Sequence, residues 1–289
     1  MKGIILFSYN ILEKRDSLST FYEHLFHGYI PEGYMGRKEN EYVAFGFTDP
    51  LTHYIKSIAR SLELATGARV YHGCKHSSPF VEDAMEQIIQ DGITELYMLS
   101  LSPLISKTGT ISYEQKVKKI VAEKAPNIRV KSLNGYSTNE QFIKLLADRI
   151  DEAATYINYH QPKIIFTSHS LPGTQNSNRD FITQYQKLAD DIMAVLPNRY
   201  DYRLAYRSVG PQDQKWLRPD ILDVLKEEKE AGTKAVIVCE LLSIVENMEV
   251  IEEIGQQAKA FALQNDIEFI QSRYLNDSFE FVTFLKNLL

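Results

Sequence analysis

Lys163-Ile164-Ile165-Phe166-Thr167-Ser168-His169-Ser170-Leu171-Pro172 lies near the middle of this 289-residue chain. Its first six residues are short, mostly apolar and followed by a polar, proline-closed loop, which predicts a buried strand over Lys163–Ser168. Beyond the loop, apolar residues recur at roughly 3.6-residue spacing over Asn178–Leu196, which predicts a helix. The same strand–loop–helix unit repeats in both directions. Further strands are expected at Gly3–Tyr9, Ala68–His72, Glu95–Leu101, Arg129–Leu133, Tyr202–Ser208, Lys234–Cys239 and Glu268–Ser272. Helices are expected over Asp49–Thr66, Ser78–Gln90, Ser112–Ala125, Thr138–Tyr159, Pro219–Ala231 and Glu246–Gln264, with Asp277–Leu289 docking at the end. Asp49-Pro50 and Ser78-Pro79 each read as an N-cap followed by a first-turn proline.

This alternation specifies an α/β fold with parallel sheets and right-handed crossovers. Irregular spacing argues against a closed barrel. The polar link Asn158–Pro162 at mid-chain suggests two doubly wound halves, 1–137 and 138–289, with helices at 138–159 and 277–289 bridging them. In such sheets ligands sit beyond the carboxyl ends of the strands. The long Tyr- and Gly-rich stretch Gly28–Gly46 reads as a lid or mobile loop.

Composition narrows the function. Net charge is −6, so a broad nucleic-acid footprint is not expected. Hydrophobic residues make up 44%, enough for a real core. Two cysteines, Cys74 and Cys239, cannot build a disulfide framework, which suits a reducing compartment. No apolar run reaches membrane-spanning length, and Met1–Phe7 runs straight into a strand without a cleavage-site pattern. The expectation is a soluble cytoplasmic protein.

Four constellations can carry chemistry. His169 follows directly on a strand end, where an imidazole can accept a proton, bind a metal, or simply bond the loop backbone. Glu246, Glu249 and Glu253 fall at i, i+3 and i+7 of the helix after Cys239, on one face. Such a line can pass protons or a hard cation, or reflect the preference of a helix's first turn for acidic residues. His72-Gly73-Cys74-Lys75-His76 lacks the spacing of a zinc site and reads better as a loop entering a helix. Ser106-Lys107-Thr108-Gly109-Thr110 can cradle an anion on backbone N–H groups but lacks the phosphate-loop spacing.

In their order these blocks resemble the ferrochelatase family over about Gly3 to Glu253. The S-[AT]-H-S-L-P motif stands as Ser168-His169-Ser170-Leu171-Pro172. The W-Q-S…P-W-L-G-P-D block is similar to Tyr206-Arg207-Ser208…Lys215-Trp216-Leu217-Arg218-Pro219-Asp220. The G-L-K-H-x-x-P-F-I-E-D-A segment matches Gly73–Ala84, the acidic signature is similar to Glu240–Ile251, and an early G-G-I-S-P-L segment resembles Gly46–Leu51. Bacterial enzymes of the coproporphyrin type are most similar.

The resemblance implies a chelatase-like pair of Rossmann-like halves with a tetrapyrrole cleft between them. It implies a lyase of heme and porphyrin biosynthesis that inserts Fe2+ into a porphyrin, coproporphyrin III or protoporphyrin IX. Iron and porphyrin are then substrates, no organic cofactor is expected, and the enzyme is a monomer. By this resemblance His169 takes a pyrrole proton or holds iron, Glu249 partners it, and Glu253 extends the metal line. Porphyrin contacts fall on Tyr9, Ser106, Thr108, Tyr113, Tyr206 and Ser208, with Phe21–Phe47 supplying one wall. Departures stand at Asn10, Phe26, Glu41, Glu240, Ser243 and Asn247. They leave open two alternatives: a heme-binding protein without chelatase activity, and a chelatase for another metal or tetrapyrrole.

Overall fold

All eight apolar stretches form strands: β1 (Lys2–Ser8), β2 (Arg69–Cys74), β3 (Glu95–Ser100), β4 (Arg129–Ser132), β5 (Lys163–His169), β6 (Tyr202–Arg207), β7 (Ala235–Glu240) and β8 (Glu268–Gln271). The computed structural model describes residues 1–12, 15–43, 46, 48–159, 161–210 and 215–289, with the backbone alone at Arg37 and Glu41. The chain divides into two units, Met1–Asn134 with Asp277–Leu289, and Gly135–Asn276.

The first unit holds a parallel sheet in the order β2-β1-β3-β4. β1 is buried from Gly3 to Ser8, as befits a central parallel strand covered on both faces. Ile5, Phe7 and Met98 pack with Met85 and Ile88 of α4 (Val81–Gln90) and Val117 of α5 (Ser112–Lys124). α3 (Pro50–Thr66) starts where Asp49-Pro50 predicts, the Asp49 carboxylate accepting from the Leu51 N–H at 2.9 Å. It stops at Gly67, whose φ of +69° is open to glycine at no steric penalty. α4 begins later than Ser78-Pro79 suggests: Asp83 reaches back to the Phe80 N–H at 2.8 Å and starts the helix there.

Three further differences appear in this unit. Arg15–Leu25 forms α1, burying Leu18, Phe21 and Tyr22. The expected lid Gly28–Gly46 contains α2 (Tyr34–Val43), held by edge-on ring contacts of Tyr34 with Tyr22 and Phe26; Ala44, Phe45 and Phe47 of the expected wall lie outside the described residues. The last helix (Phe279–Asn287, α11 in chain order) packs on α3 within this unit, Ser57 donating to Asp277 at 2.5 Å. With Phe281, Phe284 and Leu285 buried, this helix belongs to the first unit and not to the second half expected from its position in the chain.

The second unit holds a parallel sheet in the order β6-β5-β7-β8. Helices α6 (Glu140–Ala154), α7 (Arg179–Val195) and α8 (Ile221–Glu230) alternate with the strands. Tyr185 of α7 is fully buried, its hydroxyl lying 2.8 Å from the Phe166 carbonyl and 2.9 Å from that of Ala205. The expected helix Glu246–Gln264 is three pieces: α9 (Met248–Val250), a π-helical stretch Ile251–Ala258, and α10 (Lys259–Gln264). Asn247 is its N-cap, accepting from the Val250 N–H at 3.1 Å.

Candidate active site

Sheet order places the chemistry of the second unit. The chain leaves β5 towards β6 on one side and reaches β7 on the other, so the strand order reverses beside β5, where open α/β sheets form their ligand crevice. His169 ends β5, Arg207 ends β6 and Glu240 ends β7. Register sets Arg207 opposite His169 and Glu240 opposite Thr167. Partners in register share a face, and residues two apart on β5 share a face, so all four side chains project from the same side.

His169 is one-third exposed. Its Nδ1 lies 2.6 Å from the Ser170 carbonyl oxygen, which can only accept, so Nδ1 carries the proton. In the neutral ring Nε2 is then the free acceptor, and it sits 3.7 Å from Glu249 Oε2. The backbone-bonding and chemical readings of this histidine therefore hold together: one nitrogen fixes the ring, the other faces a carboxylate.

Glu249 is half exposed and Glu253 three-quarters buried. Glu246 does not extend their line. It precedes the helix, where its N–H donates to Asn276 Oδ1 at 2.9 Å, so the expected i, i+3, i+7 face loses its first member. Ser208 donates to Glu253 from 2.8 Å and does so with a φ of +54°, a left-handed conformation rare outside glycine. Local strain thus aims the hydroxyl at the carboxylate.

Behind this pair lies Arg207, 1% exposed and missed by sequence reasoning. Its Nε donates to Glu240 Oε2 at 3.1 Å, and its Nη2 to Ser243 Oγ at 2.7 Å. Its Nη1 faces Glu249 Oε2 at 3.4 Å and Glu253 Oε2 at 3.3 Å. Glu240, wholly buried, also accepts from Thr167 Oγ1 at 2.7 Å and from the Leu242 and Ser243 N–H groups at 3.1 and 3.0 Å. Burial works against the Glu240 carboxylate, but Arg207 and these donors hold its pKa below the ordinary value. Burial pushes the Glu253 carboxyl up, Arg207 pulls it down and Glu249 pushes it up again, leaving it raised. The available sequence signal was two opposite charges closing apolar strands, at Arg207 and Glu240.

Among the described residues no three His, Cys, Asp or Glu side chains converge to hold a metal. His169 and Glu249 meet, and Glu253 shares Arg207 with Glu249. Of the other expected contacts in this unit, Ser208 faces Glu253. Tyr206 is buried against Tyr185, its hydroxyl pushed up to about 12 by burial.

In the first unit Tyr9 is 43% exposed just past β1, its ring 4.7 Å from that of His76. Ser106 caps a π-helical turn, Lys107–Ile111, by accepting from the Gly109 N–H, so that donor does not face an anion. Thr108 is exposed, its carbonyl accepting from Lys75. Tyr113 is buried, stacked on Phe7, its hydroxyl donating to the Ser8 carbonyl at 3.0 Å. Tyr113 and Tyr206 therefore belong to the packing of their units and are not open ligand contacts. The Glu41 side chain lies outside the described residues. His72 bonds Ser8 at 2.8 Å and burial brings its pKa down to about 4; Cys74 beside it is pushed up to about 11. His72, Gly73 and Cys74 close strand β2, so of the expected loop only Lys75 and His76 lie in the connection that leads to α4.

A sequence model of the ferrochelatase family matches residues 2–289. A ferrochelatase of Herpetosiphon aurantiacus is 28% identical, over 99% of this chain and 97% of that protein. A coproporphyrin III ferrochelatase of Listeria monocytogenes is 30% identical, over 78% of this chain and 76% of that one. Among solved structures, SirB from Bacillus subtilis with Fe3+ superposes with a TM-score of 0.61 at 12% identity, over 99% and 94% of the two chains. CbiX, the terminal enzyme of siroheme biosynthesis in denitrifying bacteria, gives a TM-score of 0.54 at 10% identity, over 99% and 96%. These two likenesses concern the fold.

Proposed function

The chain belongs to the ferrochelatase family, metal chelatases that put iron into porphyrin for heme, and on that premise we propose how its own residues carry the reaction. His169 and Glu249 are the catalytic pair. Two pyrrole N–H protons must leave as ferrous iron, the metal substrate, enters the ring. The observation that carries the reading is the orientation of His169: Ser170 holds Nδ1, and Nε2 faces Glu249 at 3.7 Å. Nε2 takes the two pyrrole protons one after the other, and the half-exposed Glu249 carboxylate accepts each in turn and releases it to solvent. The alternative role of Nε2, before it carries a proton, is to hold the incoming iron together with Glu249, and Glu253 extends the carboxylate line behind them without itself ligating the metal.

On the family resemblance, porphyrin contacts are assigned to Tyr9, Ser106, Thr108 and Ser208. The macrocycle is coproporphyrin III or protoporphyrin IX. Asn247, occupied as a helix cap, supplies no second imidazole at the metal. The protein works as a monomer in the cytoplasm without an organic cofactor. Two free, buried cysteines suit a reducing compartment, and among the described residues no helix is long and apolar enough to cross a membrane.

The test is an anaerobic absorbance assay. Purified protein is mixed with each porphyrin, ferrous iron is added, and the metalloporphyrin spectrum is followed. Catalysed insertion into one of them supports the reading and names the macrocycle. Porphyrin binding without turnover would refute it in favour of a tetrapyrrole-binding protein. No spectral change with either would point to another metal or tetrapyrrole.

A further inference from the structure

We propose that Arg207 is a positioning residue for metal insertion: its guanidinium stands against both the Glu249 and Glu253 carboxylates as a built-in cation and keeps the two from closing together on a divalent metal. This rests on the reaction proposed above and adds to it a reason why iron is passed on and not trapped.

The geometry is specific. One nitrogen, Nη1, lies 3.4 Å from Glu249 Oε2 and 3.3 Å from Glu253 Oε2, so both carboxylates already share one positive partner. The group cannot swing aside, because Nε is bonded to buried Glu240 and Nη2 to Ser243. Glu253 is also held by Ser208, which donates to both of its oxygens and accepts from Arg207 Nη1. A metal bound to both oxygens at about 2.1 Å would lie within about 5.5 Å of that fixed like charge. The arginine is 1% exposed, so water screens the repulsion poorly.

Two carboxylates this close to a histidine would otherwise make a stable divalent site at the door of the macrocycle. With Arg207 in place, Glu253 is withheld from the metal. Iron then meets only His169 and Glu249, a pair weak enough to surrender it to four pyrrole nitrogens. Arg207 and Glu240 act as one device, since each charge is buried and each needs the other.

The experiment compares zinc binding to the porphyrin-free protein by titration calorimetry with iron insertion measured separately. The double variant Arg207→Gln/Glu240→Gln removes both buried charges together and leaves amide groups able to bond each other and Thr167. It is expected to bind zinc at least about tenfold more tightly, the change that 1.4 kcal/mol represents, and to show inhibition at high iron concentration. Adding Glu253→Gln should abolish that gain, and Arg207→Lys, which keeps the charge, should leave zinc binding as in the parent protein. A folded double variant with unchanged zinc affinity, or a gain that survives Glu253→Gln, overturns the proposal. Glu253→Gln alone gives a second test that disturbs no fully buried charge: zinc affinity of the otherwise unaltered protein should stay the same, and a tenfold fall would show that Glu253 already holds metal. The zinc titrations read this inference even if the parent protein inserts no iron, which would refute the proposed reaction alone.

Discussion

Replacing Arg207 with leucine leaves Glu240 buried without its cation, and the structure sets the size of the loss. The substitution removes the bonds to Glu240, Ser243, Ser208 and the two site carboxylates. Breaking a buried ion pair from one side typically costs about 3–5 kcal/mol. Glu240 keeps three neutral donors, Thr167 and the Leu242 and Ser243 N–H groups, which places the expected loss near the lower end, at about 3 kcal/mol. The pH dependence is more telling than the size. In the parent protein the folded Glu240 carboxyl has a lowered pKa, so its contribution is present above the unfolded value and lost as pH falls through the folded one. Without Arg207, burial becomes the dominant influence and raises the folded pKa above the unfolded value. The sign then reverses, and the variant gains stability as the carboxylate takes up its proton. The gap between the two proteins should therefore narrow as pH falls from about 7.5 to about 5. Urea unfolding followed by circular dichroism at several pH values measures it. A loss below about 1 kcal/mol at neutral pH, or one independent of pH, would refute a role for Arg207 in holding Glu240 ionised.

Four further outcomes are expected. His169→Ala should abolish iron insertion in the anaerobic assay while changing stability by no more than about 1 kcal/mol, since the ring is one-third exposed; normal turnover would remove it from the mechanism. Glu249→Gln should retain porphyrin affinity and slow insertion by about 10²–10⁴-fold, the usual range for a lost acid–base group; weaker binding with unchanged turnover would make its role structural. Tyr185→Phe should cost about 1–3 kcal/mol in urea unfolding, because two buried carbonyls, of Phe166 and Ala205, lose their shared donor. Glu228 is buried and bonded to Lys163, Arg203 and Thr233, and despite burial these partners lower its pKa. Its contribution is present above the ordinary carboxylate range and lost on acidification, so Glu228→Gln should flatten the acid limb of the stability curve.

Local signals were legible wherever the physics is local. Apolar runs marked β1, β3 and β5 because parallel strands covered on both faces read as near-continuous hydrophobic stretches, with their polar residues gathered at the carboxyl ends. Asp49-Pro50 marked the start of α3 because an N-cap and a first-turn proline act on their own neighbours. The helix α2 was not legible: half of Tyr34–Val43 is charged or amide, and among its described side chains only Tyr42 is buried, so no apolar period sets it apart from a loop. Its contacts with α1 include the Tyr34–Tyr22 ring contact and the Arg15–Glu39 ion pair, which sequence spacing does not reveal. The acidic helix was placed correctly in the chain, but its π-helical turn and its start at Met248 changed which glutamates share a face.

His169 and Glu249 were named from strand ends and motif order, and their meeting was decided by the fold. The same holds more strongly for Arg207 and Glu240. They lie 33 residues apart on strands that do not pair with each other, on either side of β5. Only the order β6-β5-β7, and a register that puts Arg207 beside His169 and Glu240 beside Thr167, brings the charges together. By itself the amino-acid sequence determined the strands, most of the helices and the chemistry at the strand ends, because periodicity and capping act within a few residues. The tertiary structure decided which charge neutralises which, because a buried ion pair exists only where non-local packing excludes water and sets the distance.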